Sequence, residues 1–135
     1  LVELQRFGQH LNVPLNLKPR YFPVAGDDAA RLIIAADLAH GAADAMAITG
    51  AILTACWAQE RNMADEKVLA ELLQEHHLAA SLLAQSHSQA VQVRYETYTQ
   101  AAIEAGVFGA PSYVVDGEIF WGQDRLDFVE RALTR

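Results

Sequence analysis

Apolar residues recur along this chain at helical spacing for most of its length. The pattern changes only near the end. Leu1, Leu4, Phe7 and Leu11 mark one face of a first helix, which Gly8 and Asn12 loosen at its end. Val13, Leu15 and Leu17 then alternate with Pro14 and Asn16, a pattern read as extended. Lys18-Pro19-Arg20-Tyr21-Phe22-Pro23 must be a loop, because each proline biases its predecessor away from helix. Gly26-Asp27-Asp28 supplies an N-cap. A helical pattern then runs from Ala29 to about Ser88 in four pieces. The first carries Leu32, Ile33 and Ala36 and ends near His40-Gly41. The second is the alanine-rich stretch from Ala43 to Arg61, with Ile48, Ile52, Leu53 and Trp57 at core spacing. The third is capped by Asp65 and turns Val68, Leu69, Leu72 and Leu73 inward, and the fourth spans Leu78 to about His87. A fifth helix covers Gln89 to Ala105.

After Gly106 the period changes. Gly109-Ala110-Pro111 forms a tight corner, and Tyr113-Val114-Val115 is a β-rich apolar run. Asp116-Gly117 is a two-residue hairpin turn, in which the glycine adopts positive φ at little cost. Glu118 to Trp121 returns as a second strand, and Gly122-Gln123-Asp124 opens a final helix. A helical block beside a small hairpin predicts a layered α/β domain carrying an α-helical insertion. The expected divisions are 1–26 (helix and extended loop), 27–88 (helical insertion) and 89–135 (helix, hairpin, helix).

Composition narrows the function. The 135 residues suit one domain, 52% hydrophobic and 20% charged. A formal charge of −7 argues against nucleic acid, whose phosphates need a basic face. Clusters of Lys or Arg that would favour an anionic membrane surface are also lacking. No apolar run approaches the roughly 20 residues that span a bilayer. Cys56 is the only cysteine, so no disulfide can form within these residues and a cytoplasmic setting is expected. Without a basic neighbour, Cys56 reads as a small buried hydrophobe. The chain opens on what reads as the middle of an amphipathic helix, which suggests the C-terminal portion of a longer protein.

Two places could carry chemistry. At Gly109-Ala110-Pro111-Ser112 the proline could be cis, exposing the Ala110 backbone to an extended peptide, or it could be a plain trans entry to the strand. At Gly122-Gln123-Asp124-Arg125, free N–H groups at a helix start suit a carboxylate and Asp124 suits an ammonium; equally, Asp124 could simply cap the helix. The histidines at 10, 40, 76, 77 and 87 are scattered, and no metal site is expected. Ser86-His87-Ser88 lacks a partnered acid. Trp57 reads as core that could also line a pocket. Arg20 and Arg31 could meet a carboxylate bidentately, although an exposed arginine is the simpler reading of each.

Residues 106 to 126 closely resemble the C-terminal end of 2-hydroxychromene-2-carboxylate isomerases, which group with kappa-class glutathione transferases and DsbA-like proteins in the thioredoxin superfamily. The likeness extends to Leu4-Gln5-Arg6-Phe7 with Val13-Pro14, to Arg20-Tyr21-Phe22-Pro23 and to Trp57-Ala58-Gln59-Glu60, with only 106 to 126 highly specific. The resemblance implies a thioredoxin-like fold with a helical insertion, here without its N-terminal β-α-β unit. It implies glutathione as cofactor, Pro111 as the cis-proline, Ala110 pairing with the cysteinyl part, and Gln123 with Asp124 holding the γ-glutamyl head. Kappa-class members commonly carry Ser where Gln123 stands, so that contact could be through backbone alone. The implied substrate is a small aromatic compound, with Trp57 and Arg20 as candidate pocket residues. The family's catalytic serine sits in a Phe-Asp-x-x-Ser-Pro-like segment that these residues lack, so no catalytic residue is expected among them and the serine is expected upstream of Leu1. The implied activity is isomerisation by reversible thiolate addition. Kappa-type transfer, a dithiol–disulfide oxidoreductase or a non-catalytic binding module are the alternatives that an upstream sequence would separate. Relatives are often homodimers, which the apolar excess permits and no periodicity requires.

Overall fold

A computed structural model describes all 135 residues. Its elements are α1 (Val2–His10), α2 (Asp27–His40), α3 (Ala42–Trp57), α4 (Glu66–Glu75), α5 (Ser81–Gln85), α6 (Gln89–Glu104), β1 (Ser112–Val115), β2 (Glu118–Trp121), a 3-10 turn at Gln123–Arg125, and α7 (Leu126–Leu133). No helix is long and apolar enough to cross a membrane. The chain forms two compact units, Leu1–Tyr95 and Glu96–Arg135, with the division inside α6.

The first unit is helical. Helix α2 packs on α3 and α5, and α3 packs on α4. The core between them includes the fully buried Leu32, Ile48, Leu69, Leu72, Leu73 and Leu82. Each such side chain contributes about 1.5–3 kcal/mol on burial. The alanines of α3 allow close approach: Ala45, Ala51 and Ala55 are buried beside Ile48 and Ile52. Asp65 caps α4 as expected, its carboxylate accepting from the Lys67 N–H at 2.9 Å. Arg61 reaches α4 through Glu75 and Glu71, both at 2.9 Å.

Several local expectations change. Residues 13 to 17 form no strand; Val13 and Asn16 donate instead to the carbonyls of Gly8 (2.8 Å) and Trp57 (2.7 Å), so local and helix-end partners take the bonds a neighbouring strand would need. Helix α2 starts at Asp27 with no side-chain cap, its two first-turn acids favouring the N-terminus by charge alone. The fourth helical piece shrinks to Ser81–Gln85: at its start the Leu78 N–H bonds back to the Leu73 carbonyl of α4, and past its end the Ser86 hydroxyl donates to the Leu83 carbonyl at 2.6 Å. Leu53, at core spacing, is half exposed beside a cavity described below.

The second unit holds the hairpin. Ser112 pairs with Trp121, Tyr113 with Phe120, Val114 with Ile119 and Val115 with Glu118, antiparallel. Asp116 (φ 49°) and Gly117 (φ 80°) form the turn, both left-handed as a two-residue hairpin loop with right-handed strand twist demands. One sheet face, Tyr113, Val115 and Phe120, packs against Val129 and Ala132 of α7. This is the hairpin and final helix that the sequence predicts.

Candidate functional site

The chemistry-bearing stretch begins where α6 ends. Gly106 takes φ 76°, with Gly106 and Val107 donating to the carbonyls of Ile103 and Ala102, and the chain leaves the helix. Phe108 projects into solvent and meets the Trp121 ring edge-on at 5.3 Å. Gly109 lies beneath that indole: a Cβ built there would fall 2.6 Å from Trp121 Nε1, so only glycine lets the backbone pass. The Ala110–Pro111 bond is cis.

The corner is braced by its neighbours. The Ser112 hydroxyl donates to the Gly109 carbonyl. The Gly122 N–H donates to the Pro111 carbonyl at 2.9 Å. That bond joins the entrance of β1 to the exit of β2, so the proline corner and the Gln123–Asp124 turn stand side by side. The Ala110 N–H and C=O take part in neither bond, and Ala110 and Pro111 are exposed. A backbone edge beside a carboxylate is an arrangement able to pair with an extended peptide bearing an ammonium group.

The second corner differs from a simple helix start. Gly122 (φ 109°, ψ 148°) feeds a 3-10 turn at Gln123–Arg125, and α7 begins only at Leu126. Neither element has a side-chain cap, so the capping role considered for Asp124 is not the one adopted. Its carboxylate instead pairs with the adjacent Arg125 at 2.8 Å, with both side chains about half exposed. Such an exposed pair is worth little, about 0–1 kcal/mol, so a ligand ammonium could take the carboxylate over. Gln123 is exposed on the same turn.

The helical unit contains the other predicted residues. Trp57, half buried at the end of α3, borders an apolar cavity of about 290 Å3 formed with Leu4, Val13, Pro14, Leu15, Leu53 and Thr54. The Phe22 ring lies 4.7 Å from Trp57. Arg20 is not on the cavity wall; its guanidinium sits 5.3 Å over the Tyr21 ring, and its backbone N–H donates to the Glu60 carboxylate. Arg31 is committed to structure, bonded to Asp28 (3.1 Å) and Gln92 (3.1 Å) and lying over Tyr95. Cys56 is 1% exposed, and burial, reinforced by the Glu60 charge, pushes its thiol above the ordinary cysteine value. His87 faces Glu66 at 3.6 Å and Ser86 is bonded to its own chain turn, so the Ser-His-Ser run forms no relay. Two features had no distinct sequence signal: the cis bond at Phe22–Pro23, which looks like any X-Pro, and the role of Glu60, whose partners lie about forty residues away.

A family model described as a DSBA-like thioredoxin domain matches residues 1–134. A 2-hydroxychromene-2-carboxylate isomerase of Sphingobium xenophagum is 33% identical over 134 residues, covering 98% of this chain and 66% of that protein. One from Pseudomonas putida is 33% identical over 137 residues, covering 99% and 64%. The chain thus spans about two thirds of the length of the curated relatives it matches. Among solved structures, a 2-hydroxychromene-2-carboxylate isomerase superposes with a TM-score of 0.77 at 30% identity over 99% of this chain and 64% of that one. The cytosolic disulfide reductase DsbM of Pseudomonas aeruginosa superposes with a TM-score of 0.72 at 18% identity, a likeness of fold alone.

Proposed function

The chain belongs to the DSBA-like thioredoxin family, and from that premise we propose that it is part of a glutathione-dependent isomerase acting on 2-hydroxychromene-2-carboxylate or a related aromatic-catabolism intermediate. The names carried by the 33%-identical relatives support the isomerase class. The observation that supports the glutathione reading is the Gly122 N–H to Pro111 C=O bond, which ties the cis-proline corner that follows Ala110 to the turn that carries Gln123 and Asp124.

In this reading bound glutathione would supply a thiolate nucleophile for reversible addition to the substrate. The residues of this chain hold and orient. Ala110 pairs its backbone with the cysteinyl part, Pro111 presents that backbone, and Asp124 exchanges Arg125 for the ligand ammonium. Gln123 contributes through its backbone or amide. The apolar Trp57 cavity suits an aromatic ring, being of the volume at which small-molecule pockets begin, roughly 300 Å3. Arg20, turned onto Tyr21, is the weaker candidate for the substrate carboxylate. Thiol activation is assigned to a serine upstream of Leu1, and the setting to the cytoplasm.

The test is Asp124→Ala in the full-length protein. Glutathione affinity, measured by calorimetry, should fall at least about tenfold, since a hydrogen bond to a charged group is worth roughly 1.5–3 kcal/mol. Unchanged affinity with an intact fold would remove Asp124 from the site.

A further inference from the structure

Four non-glycine residues adopt positive φ: Asn12, Glu60, His77 and Asp116. Asn, His and Asp populate that region several times more often than other side chains; glutamate does not. Something must hold Glu60 at φ 55°. Its carboxylate supplies the reason. One oxygen accepts from Asn16 Nδ2 at 2.8 Å and the other from the Arg20 N–H at 2.6 Å. Both donors lie in the segment between α1 and α2, so Glu60 fastens that segment to the end of α3.

The fastening does not stand alone. The Asn16 N–H donates to the Trp57 carbonyl at 2.7 Å, the Cys56 thiol lies 3.9 Å from the Tyr21 carbonyl, and Phe22 packs on Trp57. Two sequence motifs about forty residues apart, Arg20-Tyr21-Phe22-Pro23 and Trp57-Ala58-Gln59-Glu60, thus form one assembly. The segment it secures includes Val13, Pro14 and Leu15, the cavity wall facing Trp57, Leu53 and Thr54. Both walls are continuous with the residues joined by the clamp.

We propose that Glu60 is a positioning residue: by clamping Asn16 and Arg20 it fixes the Val13–Leu15 wall against Trp57 and so sets the shape of the cavity for a planar aromatic ligand. The inference rests on the isomerase reading for the identity of that ligand. Glu60 is not among the residues that line the cavity. Its effect belongs to aromatic-substrate binding and not to glutathione binding, which the hairpin unit supplies.

The experiment uses the full-length protein with Glu60→Gly and Glu60→Gln. Glycine tolerates the backbone angle, so Glu60→Gly removes the clamp without adding strain. Amide exchange at Arg20 should accelerate about tenfold or more in Glu60→Gly, the scale of one lost charge-assisted hydrogen bond. KM for 2-hydroxychromene-2-carboxylate should rise severalfold, with kcat and the KM for glutathione within about twofold of wild type. Glu60→Gln, which can still accept from the Arg20 N–H, should fall between wild type and glycine in both measurements. Unchanged exchange at Arg20 would overturn the clamp. Faster exchange with an unchanged substrate KM would overturn its role in the cavity. Parallel loss of kcat and of both KM values with a lowered Tm would also overturn it, as a general structural effect. A wild type that fails to isomerise the chromene substrate would overturn the functional reading itself, before any variant is compared.

Discussion

Gly122 shows how one backbone position governs the candidate glutathione site. Its φ of 109° and ψ of 148° lie where only glycine is comfortable, and a Cβ there would fall 2.5 Å from Asp124 Oδ1. Gly122→Ala should therefore destabilise the protein by about 1–3 kcal/mol through the backbone. It should also weaken glutathione binding, because the Asp124 carboxylate must swing aside. Urea denaturation and calorimetry on the same sample read the two effects; retained affinity would show that Asp124 need not occupy its present position. Cys56 gives an independent check. Buried, with its thiol pushed up, it should label with iodoacetamide at pH 7.5 far more slowly than a free thiol and at full rate only in denaturant, followed by peptide mass spectrometry. Fast labelling in the native protein would contradict the packing at the end of α3.

The elements were legible in the sequence to different degrees, for physical reasons. The hairpin was plain because Asp116-Gly117 encodes its own turn and the flanking β-rich runs need no distant partner. Helix α4 was plain because Asp65 caps it locally and Leu69, Leu72 and Leu73 repeat on one face. Residues 13 to 17 misled because alternation reports two faces and not the presence of a neighbouring strand; here Gly8 and Trp57 supply the partners. The Asp124 corner was half legible: glycine and acid marked a turn, while the pairing of Asp124 with Arg125 and the 3-10 turn depend on angles that composition does not show. Glu60 was illegible beyond its place in a family-like motif, since its donors are remote in sequence. Helix α4 also carries a pH prediction. The Arg61 hydrogen bond holds the Glu75 carboxyl below the ordinary carboxylate range. The stabilisation from this pair is fully present above the unfolded value of about 4.3 and is lost as pH falls through the lowered folded value. Arg61→Met should leave Tm less sensitive to acid in that window than wild type. An unchanged acid slope would show that the exposed pair contributes nothing to stability.

The two units differ in how much core holds them, and that difference predicts where the molecule opens first. In the helical unit, fourteen buried residues make one continuous cluster across α2 to α6. In the hairpin unit the buried cluster is Phe120, Val129 and Ala132, supported by Tyr113 and Val115. The opposite sheet face leaves Val114 45% and Trp121 55% exposed, with Phe108 beside the indole at 69%. A two-stranded ladder is marginal by itself and depends on what covers it, and local opening free energy follows the buried apolar contacts that opening must break. Native-state hydrogen exchange on the 135-residue chain should therefore find the slowest amides at Leu69, Leu72 and Leu73, approaching the global unfolding free energy. The amides of β1 and β2 should exchange through a lower-energy opening that leaves the helical core protected. Adding mild urea should steepen exchange in the helices more than in the hairpin, because global opening exposes more surface. Equal protection in both units would show that the chain opens as a single cooperative body. In that case the candidate glutathione site would draw its rigidity from the helical core as much as from the hairpin's own packing.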